Sequence, residues 1–131
     1  MTIEYTWRGQ FDNDEVNLLH AEGFEHRYFD DDWNSMLERH SVGWVTARDE
    51  EGLVGFVNAV WDGGVHAFIE DTLVAVRARR HGVGKRLIEV ATGEARAAGC
   101  EWLHVDFDDD LKSFYFDACG FVPTNAGLIQ L

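Results

Sequence analysis

Five of the chain's eleven Lys and Arg residues fall within ten positions, Arg77-Ala78-Arg79-Arg80-His81-Gly82-Val83-Gly84-Lys85-Arg86, although the formal charge of the whole is −13. Gly82 and Gly84 are interleaved with these cations. A strand-like run, Phe68 to Val76, comes just before them, and a helix-like run, Leu87 to Ala98, just after. Strand, basic glycine-containing turn and helix together offer free backbone N–H groups and a positive helix end to an anion such as a phosphate. Glycines at 82 and 84 let those amides approach a pyrophosphate without a Cβ in the way. Arg79, Arg80 and Lys85 add charge, and an Arg can grip phosphate with two parallel donors.

Two familiar phosphate loops do not fit. A Walker A loop needs a first Gly where this chain has Arg79, and Ser or Thr where it has Arg86. A dinucleotide fingerprint needs a third Gly at position 87, which is Leu.

The elements that must position the turn can be read from periodicity. Ile3 to Arg8 reads as a first strand. Asp12 caps a helix with Glu15 as its capping-box partner, with Val16, Leu19 and Leu18 apolar, ending near Gly23. Trp33, Met36 and Leu37 mark a second short helix closed by His40. Val42–Arg48, Leu53–Trp61 and His66–Val76 form a meander, turning at Asp49–Gly52 and Asp62–Gly64. Val83, Leu87, Val90 or Ala91, Glu94 and Ala98 trace a third helix, stopped by Gly99. Trp102–Phe107 is a fifth strand, Leu111–Cys119 a short helix, and Phe121-Val122 with Leu128–Leu131 a last hairpin. The order, β-α-α-β-β-β-α-β-α-β(β), is that of a mixed α/β protein.

Composition bounds the rest. At 131 residues, 46% of them hydrophobic, the chain is expected to be one domain spanning 1–131. No run is long and apolar enough to span a membrane, no signal peptide is read at the N-terminus, and Cys100 and Cys119 make no disulfide framework, which favours the cytoplasm. The acidic balance disfavours nucleic acid, which needs a cationic footprint, and permits a cationic substrate such as an amine. His104-x-Asp106 places two metal-capable groups on one face of a strand, but no third ligand accompanies them, so no metal site is expected. Asp106, Asp108, Asp109 and Asp110 either hold a cationic substrate or cap the element that follows, and capping is the simpler role.

What remains of the turn, Arg79-Arg80-His81-Gly82-Val83-Gly84, fits [QR]-x-x-G-x-[GA]. With Val74-Ala75-Val76-Arg77-Ala78 before it and Phe114-Tyr115-Phe116-Asp117-Ala118-Cys119-Gly120-Phe121 about thirty residues on, it resembles the GNAT N-acetyltransferase family. The likeness is good from about Val42 to Val122. It implies a GNAT-like, mostly antiparallel sheet of six to seven strands flanked by about four helices, with a splayed, V-shaped cleft. It implies acetyl-CoA as cofactor, with Arg79, Arg80, His81, Gly82, Val83, Gly84 and Lys85 at the pyrophosphate and the backbone of Leu73, Val74 and Val76 along the pantetheine arm. It implies a base on the strand before the turn, where Glu70 and Asp71 are adjacent and Glu70 is preferred. Phe116 stands where the family places Tyr as acid, and Tyr115 one position earlier. Asp109 stands where the family has Asn. Tyr28, Phe29 and Trp33, with Asp30 to Asp32, fall where related proteins roof the acceptor pocket, and the resemblance also admits a homodimer.

The function expected is direct transfer of acetyl to a primary amine of a small molecule or peptide, an acceptor that the acidic balance permits to be a cation. Phe116 motivates an alternative, a catalytically silent acyl-CoA-binding or sensing module. A third reading, nucleic-acid binding through Arg77 to Arg86, is opposed by the charge.

Overall fold

A computed structural model describes residues 2–131. Five strands form one sheet in the order β1 (Glu4–Trp7), β2 (Ser41–Asp49), β3 (Gly52–Trp61), β4 (His66–Val74) and β5 (Trp102–His104). β1 to β4 are antiparallel neighbours, and β5 runs parallel to β4. The sheet is covered on both faces, which is why β2 and β3 read as near-continuous apolar runs rather than alternating ones.

Adjacent residues of β3 point to opposite layers. Gly55 faces α3 (Val83–Ala97): a Cβ there would lie 2.9 Å from Val83 Cγ1 and 3.2 Å from Leu87 Cδ1, so glycine lets that helix approach the sheet. Phe56 faces the other layer, edge-on to Phe11 and Trp33. There α1 (Asn13–Phe24) and α2 (Trp33–His40) bury Val16, Leu19, Trp33 and Leu37. α1 begins as the sequence requires: the Glu15 carboxylate accepts the Asp12 N–H at 3.0 Å and also holds Arg48. Among the described residues no helix is long and apolar enough to cross a membrane.

The mixed, mostly antiparallel class is as expected, with five strands where six to seven were. Several local readings change. β4 ends at Val74 and a 3-10 turn, Val76–Ala78, follows. β5 stops at His104 rather than Phe107. Residues 120–131 form no strand, since so short a β5 leaves no ladder partner for the hairpin, and Val122, Leu128, Ile129 and Leu131 are exposed. On α3 the buried stripe is Val83, Leu87, Ile88, Ala91 and Ala95, while Val90 and Glu94 are only partly covered and Ala98 is exposed. Leu18 of α1 is exposed, and Asn17 is buried in its place, accepting the Trp33 indole N–H at 2.9 Å. The expected helix over Leu111–Cys119 is instead a 3-10 turn, Asp109–Leu111, followed by a π-helical turn, Ser113–Ala118.

Candidate active site

β4 and β5 pair over three residues only, His66–Phe68 with Trp102–His104, after which the two chains part. The opening lies between the rest of β4 and the segment leading to the π-helical turn. Two irregularities shape it.

The first is a β-bulge in β4. Glu70 lies opposite Asn58 and Leu73 opposite Phe56, so Asp71 and Thr72 together face the single residue Val57. Asp71 takes a left-handed conformation, φ 54°. The extra residue flips the alternation beyond it, so Glu70 and Leu73 share a face although they are three apart. An unbroken strand would instead put Leu73 with Asp71, and Glu70 with Thr72 and Val74. Glu70 is exposed, yet desolvation and the neighbouring Asp71 and Asp106 carboxylates raise its pKa. Asp71 is tucked under α1, 3.4 Å from His20 Nε2. Burial raises its pKa and His20 opposes the rise.

The second is the π-helical turn. Cys119 N–H donates to Phe114 C=O, five residues back, at 2.9 Å, and Phe121 N–H closes on Tyr115 C=O beyond Gly120, φ 81°. A turn closed at i→i+5 holds one residue more than an α-turn. It carries Tyr115 inward, 5% exposed and stacked on Phe107, with its hydroxyl donating to Thr72 Oγ1 at 3.1 Å. Burial raises the Tyr115 pKa, so the phenol keeps its proton. Phe116 is half-buried, edge-on to Phe107. Asp109 is at the surface, 3.4 Å from Lys112, and the 3-10 turn starts on the backbone carbonyl of Asp108, not a side-chain cap.

The basic turn sits at the start of α3. Arg80, φ 67°, and Gly82, φ 74°, are left-handed, and Gly82 C=O accepts from Arg86 N–H. The N–H groups of Val83, Gly84 and Lys85 belong to the first helical turn, which has no intrahelical acceptors. A Cβ at Gly84 would stand 3.1 Å from the Phe114 ring, which ties this turn to the one carrying Tyr115. Arg79, Arg80, His81 and Lys85 are exposed, and Val83 is buried as the helix anchor. Arg77 and Arg86 are engaged elsewhere: Arg77 grips Asp49 at 2.6 Å and Glu51 at 2.9 Å, and Arg86 meets Glu89 at 3.3 Å.

Along β4, the side chain of Leu73 is in the core. Val76 N–H donates to Glu22 Oε1 of α1 at 2.6 Å, and Val74 C=O accepts Arg79 Nε at 3.3 Å. His20, Glu22, His26 and Thr72 are thus neighbours of the site that the sequence reading missed. His20 carried a signal, standing four residues after the core residue Val16 and so on the same helix face. Cys100 and Cys119 are half-buried with thiol pKa values raised by burial, unlike activated nucleophiles. His104 Nε2 lies 2.8 Å from His66 Nδ1.

The sequence matches the model of the acetyltransferase (GNAT) family over residues 6–121. No curated protein sequence matches it. Among solved structures, glucosamine-6-phosphate N-acetyltransferase from Arabidopsis thaliana superposes with a TM-score of 0.78 at 16% identity, covering 100% of this chain and 99% of that one. A GNAT-family acetyltransferase from Streptococcus pneumoniae gives 0.77 at 20% identity, covering 99% and 98%. An aminoglycoside acetyltransferase from an uncultured soil metagenomic sample gives 0.74 at 17% identity, covering 98% and 94%. At these identities the superpositions show a common fold, and the family model, spanning most of the chain, shows kinship: the chain belongs to the GNAT acetyltransferase family.

Proposed function

We propose that residues 1–131 are a single, cytoplasmic, acetyl-CoA-dependent N-acetyltransferase domain that transfers acetyl directly to a primary amine of a small molecule or peptide. The observation that carries this reading is the inward Tyr115 hydroxyl, bonded to Thr72 across the opening of the sheet, with the basic turn at the start of α3 packed on the neighbouring Phe114.

The residues present suit coenzyme A. First-turn amides at Val83, Gly84 and Lys85 and exposed cations at Arg79, Arg80 and Lys85 suit a pyrophosphate, with Gly84 packed closely against Phe114. Backbone groups of Val74 and Val76 would hold the arm once Arg79 and Glu22 release them. When bound, acetyl-CoA supplies a thioester electrophile and a thiolate leaving group. Tyr115 Oη, kept protonated by burial, carries the proton such a leaving group needs. Glu70 and Asp71, whose carboxyl pKa values are both raised by desolvation, are the candidate bases for an ammonium proton. A chain of charge −13 attracts a cationic acceptor, and two fold neighbours are named for glucosamine-6-phosphate and for aminoglycosides.

The test is thiol release from acetyl-CoA across aminoglycosides, polyamines, amino acids and short peptides, with coenzyme A binding followed by thermal shift. Turnover with an amine supports the enzyme. Binding without turnover favours the silent module, and absence of both overturns the reading.

A further inference from the structure

Asp71 is the first member of a chain of contacts that runs away from the opening. Its Oδ1 lies 3.4 Å from His20 Nε2. His20 Nδ1 is 2.6 Å from His26 Nε2, and His26 Nδ1 is 2.5 Å from the Arg27 carbonyl oxygen. Aromatic rings frame the two imidazoles. Phe24 and Trp33 lie 4.6 Å and 5.4 Å from His20, and Phe29 stacks on His26 at 4.2 Å. The left-handed Glu25, φ 53°, ends α1 and folds His26 back onto His20.

A count of protons gives this chain a direction. A carbonyl oxygen only accepts, so His26 Nδ1 must carry a hydrogen. A neutral His26 then offers a bare Nε2, which must accept from His20 Nδ1–H. A neutral His20 is left with a bare Nε2 facing a carboxylate, which also only accepts. Three contacts need three hydrogens, and two neutral imidazoles supply two. The distances fall the same way: the two short contacts are those that hold hydrogens, and the long one is at Asp71. Reversing both tautomers moves the mismatch to the Arg27 carbonyl without removing it. The cluster is one proton short, at the end beside the cleft.

We propose that Asp71, His20 and His26 form a proton-accepting cluster in which Asp71 takes a proton from the ammonium form of the acceptor and His20 Nε2 shares it. This rests on the amine-acetylating reading above. In the balance, the ammonium loses one proton to the Asp71–His20 contact and becomes the nucleophile. Its second proton, shed once the new N–C bond forms, replaces the one Tyr115 gives to the departing sulfur. The cluster's proton returns to solvent with product release. Asp71 is then the catalytic residue, and His20 and His26 are positioning residues. The other charged groups on this part of the site are Glu70, beside Asp71 on β4, and Asp106, whose carboxylate acts on Glu70; at Asp71 itself burial favours proton uptake and His20 opposes it. Tyr115 reaches the site only through Thr72, and from α2 the neighbour of His20 is the uncharged Trp33.

The experiment is long-range nitrogen–proton NMR of histidine-labelled protein at about pH 8.5, above the usual imidazole range. Wild-type His20 and His26 are expected as Nδ1–H tautomers. In His26→Phe the anchor is gone, and His20 is expected to switch to Nε2–H, donating to Asp71. An Nε2–H tautomer of His20 in the wild type, or no switch in the variant, overturns the proposal. Kinetics add a second readout. His20→Gln places an amide donor against Asp71 but cannot take up a proton, so kcat should fall about tenfold with the KM for acetyl-CoA unchanged and the acid limb of the pH profile displaced. Unchanged kcat overturns the proposal. Expected tautomers with no amine turned over by the wild type would overturn the acetyl-transfer reading, and with it the amine as proton source, while the histidine geometry stands.

Discussion

The Tyr115 hydroxyl donates to Thr72 Oγ1 at 3.1 Å, joining the π-helical turn to the bulged part of β4 across the opening where β4 and β5 part. One inserted residue in the turn carries Tyr115 inward, and one inserted residue in the strand presents Thr72 to it. Tyr115→Phe should therefore lower kcat by about a hundredfold with little change in coenzyme A affinity, the range for losing a general acid. Phe116→Leu should leave kcat within about threefold, since a side-chain change there removes no proton donor. Steady-state kinetics of the two variants check the assignment, and equal losses would contradict it.

Glu22 holds the Val76 N–H that the coenzyme arm is expected to use. Glu22→Ala should free that donor and remove an anion from the path, tightening coenzyme A binding by several-fold. Calorimetric titration reads the change directly, and weaker binding would mean that Glu22 supports the arm rather than competing with it.

The capping box at Asp12 and Glu15 and the basic turn were legible because each is written in residues close together in the chain. The bulge at Asp71 was not, because it depends on how β4 registers against Asn58 and Phe56 of β3. The inward Tyr115 was half-legible: a tyrosine beside Phe116 was evident, but the π-helical turn that brings it in was not. Asp71 and His20 are brought together only by packing α1 on the sheet, so periodicity of either segment alone could not join them. The terminal run Leu128–Leu131 read as a strand on pattern, and failed for want of a long enough neighbour.

Arg77 reads as part of the anion site, but its guanidinium is committed to Asp49, whose carboxyl it holds down at about 2. The folded-state value lies below the ordinary 3.8, so this pairing contributes stability above about pH 4 that is lost as pH falls through about 2. Arg77→Ala should lower Tm at pH 7, and the difference should shrink on acidification. A constant difference across that range, measured by scanning calorimetry, would contradict the linkage. Coenzyme A affinity should change little, in contrast to Arg80→Ala.

Gly84 sits where a Cβ would stand 3.1 Å from the ring of Phe114, a tight contact that leaves little room for a larger side chain. Gly84→Val should push the turn off Phe114 and weaken coenzyme A binding by at least about tenfold, since branched atoms cannot be absorbed by a few tenths of an ångström. Gly93→Ala on the same helix meets open space and serves as the control, with binding unchanged.

The most direct test of the account is a calorimetric titration of acetyl-CoA into the wild type and into the Arg80→Ala and Gly84→Val variants. One molecule bound per chain, with affinity lost in both variants, is the expected result. Absence of binding to the wild type, or binding indifferent to both substitutions, would contradict the assignment of the Arg79–Lys85 turn as the coenzyme site.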